Sequence, residues 1–241
     1  MKKFIYLILL ILFIFSCNKK KLDNPNIILI VADDLGWTDF SYMGSKYYET
    51  PNIDKLSKSG ITFLNGYASS ANCAPSRATM MSGKYHPSHG IYTVSPSERG
   101  LDNTRKIIPI KNTENLSLNF FTIAEMLKSK GYINAHIGKW HLGEKGHYPK
   151  DQGFDVNIGG WESGGPRGGY FSPYSNPNLE NGPKGEYLTD RLTKEAINFI
   201  DDNKDSKFFL HLAYYSVHTP IQSKKEYSNY FKNKPSDNNH Y

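Results

Sequence analysis

Apolar runs along the chain predict the strands of a sheet. The first run continues from Ile27 to Ala32 through aliphatic and β-branched side chains, with no polar residue between them. A continuous run of this kind is typical of a parallel strand that is buried on both faces. In all, strands are predicted over residues 26–32, 61–67, 132–137 and 208–215.

Helices are predicted between these runs. They cover residues 51–59, 75–81, 117–130 and 187–203. Pro75 stands in the first turn of the second helix, and Gly83 and Gly131 lie just past the ends of the second and third, as is common at helix boundaries. Residues 143–185 are rich in Gly, Pro, Asn and aromatic residues, and they are predicted to form long loops. Strands that alternate with helices predict an α/β fold with a mainly parallel sheet flanked by helices.

The composition is that of a globular chain and excludes several other classes. Of the 241 residues, 38 % are hydrophobic and 22 % are charged, which is typical of a folded domain. A mean hydropathy of −0.56 excludes a polytopic membrane protein. The net charge of +6 is spread along the chain without a nucleic-acid-binding motif, so we expect no nucleic acid partner.

The N-terminal residues predict export. Two lysines precede an apolar stretch over residues 4–15, which is typical of a secretion signal and short for a membrane span. The stretch ends just before Cys17 and is similar to a bacterial lipobox, in which the cysteine receives lipid after cleavage. We therefore predict a lipoprotein signal peptide over residues 1–16 and a lipidated tether over residues 17–25. An ordinary signal peptide with an incidental cysteine is the alternative.

Polar residues that follow the predicted strands are the candidates for a functional site. In open parallel sheets, ligands bind at the carboxyl ends of the strands. The residues at these positions are Asp33, Asp34, Cys73, Lys139, His141 and His218.

Asp33 and Asp34 form a pair of adjacent carboxylates at the end of the first predicted strand. Such a pair suits a hard divalent cation such as Ca²⁺ or Mg²⁺, whose charge offsets the repulsion between the two acids. A helix N-cap beside a solvated acid is the alternative explanation.

The segment from Cys73 to Arg77 combines a nucleophile with two sources of positive charge. Cys73 precedes a predicted helix, and the backbone N–H groups and dipole at a helix N-terminus favour anions. Arg77 follows one turn later on the same side. The segment therefore predicts a site for an oxyanion, and a small buried cysteine is the alternative.

Lys139 and His141 follow the third predicted strand. In extended backbone, residues two apart point the same way, so the lysine can offer a cation and the histidine acid–base chemistry at one place. His218 follows the last strand, where Pro220 disfavours helix at Thr219. For each of these side chains, a structural role is the alternative.

Taken together, these segments resemble the sulfatase family. The segment Cys73–Lys84 is similar to the signature of that family, with Ser82 as a mild departure. Four further blocks match in the same order, within residues 26–220: Asp33–Gly36, Thr50–Asp54, Gly138–Gly143 and His218–Pro220. The resemblance implies an alkaline-phosphatase/sulfatase-like fold.

The resemblance also implies a modified nucleophile and a metal. In sulfatases a separate maturation enzyme oxidises the signature cysteine to formylglycine, an aldehyde whose hydrate attacks the sulfate ester. Cys73 holds that position here. Asp33 and Asp34, together with the modified Cys73, correspond to ligands of a divalent cation, usually Ca²⁺.

Four further residues take roles from the same resemblance. Arg77 is expected to orient the formylglycine, and Lys139 is expected to contact the sulfate. His141 is expected to accept a proton from the diol, and His218 is expected to protonate the leaving oxygen.

One part of the family pattern has no convincing counterpart. The family uses a second acid–amide pair as metal ligands, and Ser236-Asp237-Asn238 has similar letters but no apolar strand before it. We interpret that match as a coincidence. Because family members are longer, residues 26–241 are expected to be the N-terminal portion of a catalytic domain that is truncated at the C-terminus, with little turnover by itself.

The function predicted from the sequence is hydrolysis of sulfate esters on a sulfated saccharide, by an exported bacterial lipoprotein that is membrane-anchored and periplasmic or cell-surface. The loop over residues 159–170 contains Trp161, Arg167 and Tyr170 and either lines a sugar site or is a flexible surface loop. Two other functions stay open: hydrolysis of phosphonate or phosphate esters by the same superfamily, and non-catalytic binding of glycans.

Overall fold

A parallel sheet forms the centre of the computed structural model, which describes residues 24–235. Its strands within this range are β1 (Ile27–Val31), β2 (Ile133–Gly138), β3 (Val156–Ile158) and β4 (Phe208–Ala213). Their order across the sheet is β1-β4-β2-β3, and every pairing is parallel. The predicted α/β fold with a mainly parallel sheet is confirmed, although β3 lies within residues predicted as loops.

Helices cover both faces of the sheet. The helices in the described range are α1 (Pro51–Ser59), α2 (Cys73–Ser82), α3 (His86–His89), α4 (Ile123–Ser129), α5 (Leu188–Asn203) and α6 (Lys225–Asn233). Short 3₁₀ turns lie at Trp37–Asp39, Ser41–Met43, Asp102–Thr104 and Pro149–Gln152.

The helix predicted over residues 117–130 is shorter in the structure, because a capping box starts α4 at Ile123. Thr122 Oγ1 accepts from the Glu125 N–H at 3.2 Å, and a Glu125 carboxylate oxygen accepts from the Thr122 N–H at 2.7 Å. These two bonds satisfy backbone donors that a helix start leaves free. The preceding residues are therefore not helical.

Two hydrophobic cores lie on opposite faces of the sheet. On one face, α5 packs Leu192 and Ala196 against Leu210 of β4. On the other face, Ala78 of α2 joins a cluster that includes Phe209 of β4. Because successive strand residues point to opposite faces, β4 is buried along its whole length.

The expectation that the first strand is buried on both faces is wrong. Ile28 is 48 % exposed and Ile30 is 57 % exposed. β1 lies at the edge of the described sheet, and these two side chains share a face that no described element covers. An apolar run shows that a strand is suited to burial, but it does not show which faces are covered.

The strand predicted over residues 61–67 is absent from the described structure. Ile61, Phe63, Leu64 and Tyr67 of this segment are each 75 % exposed or more. A strand needs a partner for its backbone hydrogen bonds, and no described strand pairs with this segment.

Two sequence predictions lie largely or wholly outside the described residues. These are the signal peptide and lipidated tether, of which only residues 24 and 25 are described, and Ser236-Asp237-Asn238.

Within residues 24–235, none of the helices combines the length and the apolar character that a membrane crossing needs.

Candidate active site

A buried carboxylate at the end of β1 is the centre of the candidate site. Asp33 lies two residues beyond β1 and is 5 % exposed. Its N–H donates to the carbonyl of Ser216 at 2.8 Å, and its carbonyl accepts from the N–H of Val217 at 2.6 Å. Because Ser216 and Val217 follow β4, these bonds hold the carboxylate at the edge where the strands end.

Two cations face the Asp33 carboxylate. Arg77 Nη2 lies 3.0 Å from Oδ1, and Lys139 Nζ contacts Oδ2. Arg77 Nη1 also donates to the backbone carbonyl of Lys139 at 2.7 Å. None of the three side chains is more than 5 % exposed, and buried charges need partners. The Asp34 carboxylate lies within 4.8 Å of Asp33, so two cations face two carboxylates, and it is the N–H donors of Arg77 and Lys139 that suit an anionic ligand.

Cys73 begins α2 and lines a cavity next to this charge cluster. The cavity has a volume of about 310 Å³, and Asp33, Asp34, Cys73 and Arg77 all line it. Cys73 is half-buried and forms no disulfide. The structure thus brings a thiol, a helix N-terminus and a guanidinium together, which is an arrangement suited to an oxyanion.

His141 lies beside the two cations as a neutral imidazole. Burial, followed by the charges of Lys139 and Arg77, lowers the pKa of His141 to about 4. Its Nδ1 is buried without a hydrogen-bond partner among residues 24–235. A neutral ring with a free nitrogen can accept a proton.

The backbone at His141 differs from the extended geometry expected from the sequence. Its φ is +60°, a left-handed conformation that is uncommon for a residue other than glycine. The alternation of side chains along a strand therefore does not continue to His141. The loop geometry, rather than a period of two, brings its ring near Lys139.

His218 follows β4 and faces Asp34. The Nε2 atom of His218 lies 4.0 Å from a carboxylate oxygen of Asp34, and the two side chains are 26 % and 56 % exposed. The Nδ1 atom lies 2.6 Å from the carbonyl oxygen of Thr219, so Nδ1 carries a proton and donates it there. Nε2 is therefore the ring nitrogen that faces Asp34, which lines the cavity next to Cys73.

The acidic residues fit a divalent cation. Asp33, Asp34 and His218 offer ligand atoms that all lie within 4.8 Å of one another, and Cys73 lines the cavity that holds both carboxylates. Carboxylate oxygens are preferred ligands of Ca²⁺ and Mg²⁺, and Ca²⁺ takes six to eight oxygens. Asp33 and Asp34 supply part of that set, and other oxygens have to complete it.

The Gly-rich loop over residues 159–170 is closely packed. Trp161 is 7 % exposed and Tyr170 is 2 % exposed. The guanidinium of Arg167 lies 5.3 Å from the centre of the Trp161 ring. The flexible-loop alternative is therefore wrong, and the faces of these two buried rings are not available for stacking on a sugar.

The sequence analysis did not single out a pair of buried histidines. His136 on β2 and His211 on β4 are opposite each other in the register, and their Nδ1 atoms lie 3.0 Å apart. Burial is the largest cause of the low pKa of both rings. The pKa of His136 is lowered to about 3, and the pKa of His211 is lowered well below 6.5. The only available signal was a histidine inside each of two apolar strands.

The sequence model of the family described as Sulfatase matches residues 25–240. The chain therefore belongs to the sulfatase family. Of the residues that the sequence pointed to, the structure brings together Asp33, Asp34, Cys73, Arg77, Lys139, His141 and His218.

Two curated relatives illustrate the similarity. The N-acetylgalactosamine-6-sulfatase of Mus musculus is 32 % identical, and the match covers 84 % of this chain and 42 % of that protein. A sulfatase of Formosa agariphila is 31 % identical, with 98 % of this chain and 53 % of that protein covered. The chain thus spans about half the length of these relatives or less.

Solved structures show the same fold. Ps i-CgsB in complex with k-i-k-neocarrahexaose has a TM-score of 0.70 and 34 % identity, with 89 % of this chain and 50 % of that chain covered. BT4656 in complex with its substrate D-glucosamine-2-N,6-O-disulfate has a TM-score of 0.70 and 27 % identity, with 90 % and 40 % covered. A phosphonate monoester hydrolase of Agrobacterium radiobacter is 21 % identical with a TM-score of 0.61, so it shares the fold alone.

Proposed function

We propose that this chain carries the nucleophile and the anion-binding residues of a sulfatase, with formylglycine formed from Cys73. The observation that carries the proposal is the shared cavity of Cys73, Arg77 and the two carboxylates. Lys139 contacts Asp33, and His141 lies near Lys139 and Arg77 and lines a separate cavity of about 220 Å³. A nucleophile near a guanidinium and an ammonium group suits an ester of a strong oxyacid.

Formation of formylglycine requires a partner. A maturation enzyme, with an external two-electron oxidant, oxidises Cβ of Cys73; the sulfur leaves as hydrogen sulfide and water supplies the aldehyde oxygen. A second water then hydrates the aldehyde to a geminal diol. Among residues 24–235, Cys73 is a free thiol, which is consistent with a thiol that is consumed in this way.

The first step transfers the sulfuryl group to the diol. One diol hydroxyl gives its proton to the carboxylate of Asp34, which lines the same cavity, and its oxygen forms a bond to sulfur while the bond between sulfur and the substrate oxygen breaks. The doubly protonated ring of His218 donates its Nε2 proton to the leaving oxygen, because the Nδ1 proton is engaged with the Thr219 carbonyl. Arg77 and Lys139 hold the sulfate through charge and hydrogen bonds.

The second step releases sulfate. The remaining hydroxyl of the diol loses its proton to His141, its oxygen forms the aldehyde C=O bond, and the C–O bond to sulfate breaks. The neutral state of His141 suits it to accept this proton. When bound to Asp33 and Asp34, a divalent cation such as Ca²⁺ would supply further positive charge beside the sulfate.

We also propose a sulfated saccharide as the substrate of the whole protein. The names of the mouse relative and of the two saccharide complexes support this class of substrate. The same proposal includes export as a lipoprotein that is anchored through Cys17 in the periplasm or at the cell surface, because sulfated glycans are extracellular polymers.

Mass spectrometry of the peptide spanning residues 59–77 tests this function on protein from the native host or from a host with a maturation enzyme. We expect a carbonyl-reactive formylglycine at Cys73 and, for the full-length protein, hydrolysis of 4-nitrophenyl sulfate. Cys73→Ala is the matched control and should abolish both signals. Unmodified Cys73 in a competent host, or faster turnover of a phosphonate ester than of the sulfate ester, would contradict the proposal.

A further inference from the structure

Two consecutive glycines lie against the two histidines of the site. A Cβ atom on Gly164 would lie 2.3 Å from Cε1 of His141 and 2.7 Å from each ring nitrogen. A Cβ atom on Gly165 would lie 3.3 Å from Cε1 and 3.4 Å from Nδ1 of His218. Contacts under 3.0 Å are essentially never seen for real Cβ atoms. The His141 ring therefore occupies the space that a side chain at position 164 would need.

The loop that carries these glycines is bonded to the backbone of both histidines. The carbonyl of Trp161 accepts from the His141 N–H at 3.1 Å. At the other end, the Tyr170 hydroxyl donates toward the carbonyls of Tyr215 at 2.7 Å and His218 at 2.9 Å. Since Trp161 and Tyr170 are both buried, the loop is a rigid frame between the two histidine segments.

Ser163 fixes the turn in which the glycines lie. It is 7 % exposed, and its hydroxyl donates to the carbonyl of Gly165 at 2.8 Å. The Nε atom of Arg167 lies 3.4 Å from the same hydroxyl oxygen. The turn is held by these hydrogen bonds, so a side chain at position 164 has to displace the His141 ring, whereas one at position 165 shifts the His218 ring by a few tenths of an ångström.

We propose that Gly164 and Gly165 are positioning residues, which set the orientation of the His141 and His218 rings for proton transfer. The inference rests on the proposed function for what each histidine does. It adds that a single loop orients both rings, because two adjacent positions of that loop have no side chain.

Gly164→Ala should impair the step that His141 serves. Misplacement of a reacting group by about 1 Å costs on the order of 100-fold in rate. We expect kcat to fall by about that factor for both 4-nitrophenyl sulfate and galactose 6-sulfate, while KM does not rise. Because sulfate release becomes limiting, 4-nitrophenol should appear in a burst equal to the enzyme concentration.

Gly165→Ala should impair protonation of the leaving group. A poor alkoxide leaving group needs an acid, whereas 4-nitrophenolate leaves with little help. We expect a loss of about tenfold on galactose 6-sulfate and less than about threefold on 4-nitrophenyl sulfate. A merely structural role would lower both rates by the same factor.

Gly66→Ala is the matched control. Its Cβ atom would meet only the Phe63 carbonyl oxygen and Cβ, at 3.6 Å and 3.8 Å, which are ordinary contacts. If all three variants behave alike, the positioning role is wrong. If the unsubstituted full-length protein, with formylglycine present at Cys73, hydrolyses neither ester, the proposed function itself is wrong, and these kinetics do not bear on the loop.

A measurement that is independent of activity and of variant folding tests the contact itself. In the unsubstituted protein we expect a strong nuclear Overhauser effect between Hε1 of His141 and an Hα proton of Gly164. The absence of this effect, with both resonances assigned, would overturn the proposal whatever the kinetics show.

Discussion

The guanidinium of Arg77 and the carboxylate of Asp33 form a buried ion pair at 3.0 Å, with 4 % and 5 % of the two side chains exposed. The same carboxylate contacts Lys139, so three segments that are distant in the chain share one charge cluster. Asp33 and Arg77 both line the cavity that Cys73 opens on. The ion pair therefore fixes the guanidinium beside the candidate nucleophile.

Arg77→Gln should destabilise the fold. The substitution leaves Asp33 with one cation and leaves the Lys139 carbonyl without its donor. Loss of one partner of a buried pair costs about 3 kcal/mol, and we expect a decrease of that order in the free energy of unfolding, measured by urea denaturation. Arg99→Gln, at an exposed position, should change it by less than about 0.5 kcal/mol. Equal effects of the two variants would contradict the interpretation.

Asp34→Asn should weaken cation binding without weakening the fold. Asp34 is 56 % exposed, so we expect a change of less than about 0.5 kcal/mol in unfolding free energy. A carboxylate-to-amide change removes a charged oxygen ligand, and Ca²⁺ affinity in calorimetric titration should fall by about tenfold or more. Asp201→Asn, on the exposed face of α5, should leave the affinity unchanged. Undiminished Ca²⁺ binding by Asp34→Asn would remove Asp34 from the ligand set.

The buried histidine pair should make the protein less stable in mild acid. Folding lowers the pKa of both His136 and His211, so the unfolded chain takes up protons below pH 6.5 that the folded chain does not. The contribution of these two neutral histidines to the free energy of unfolding is fully present above pH 6.5, and it is lost as the pH drops toward about 3. Each such histidine lowers the unfolding free energy by about 1.4 kcal/mol per pH unit in that window.

Urea titrations from pH 8 to pH 4 measure this slope. The double variant His136→Phe/His211→Phe removes both titrating rings and both members of their hydrogen bond, and it should reduce the slope, leaving the part that comes from other histidines with a lowered pKa such as His141. A slope that is the same in the double variant would assign the acid sensitivity to other groups.

Lys139→Gln should raise the pKa of His141 from its low value. The lysine charge is the second cause of the low pKa, after burial. Removing it should therefore move the midpoint upward while leaving it below 6.5, since the desolvation persists. An NMR titration of the His141 ring measures this, and Lys145→Gln, at an exposed position, is the charge-matched control. A midpoint that does not move would contradict the electrostatic explanation.

Local features of the sequence were sufficient to predict most of the framework. Pro75 and Gly83 bracketed α2 closely, and the helix starts only two residues earlier, at Cys73. The apolar segment over residues 61–67 was predicted wrongly, because its suitability for a strand depends on a partner edge elsewhere in the chain. The same limitation explains why the exposed face of β1 was not foreseen.

The sequence by itself determined the positions of β1, β2 and β4 and which polar residues follow them, because these depend on local patterns and on adjacency along the chain. Only the tertiary structure decided that Asp33 is shared by Arg77 and Lys139, and that Gly164 and Gly165 lie against two histidines. These contacts depend on the strand order β1-β4-β2-β3, which places the last strand between the first two. No local pattern encodes that order, since it results from how the whole chain buries its apolar faces.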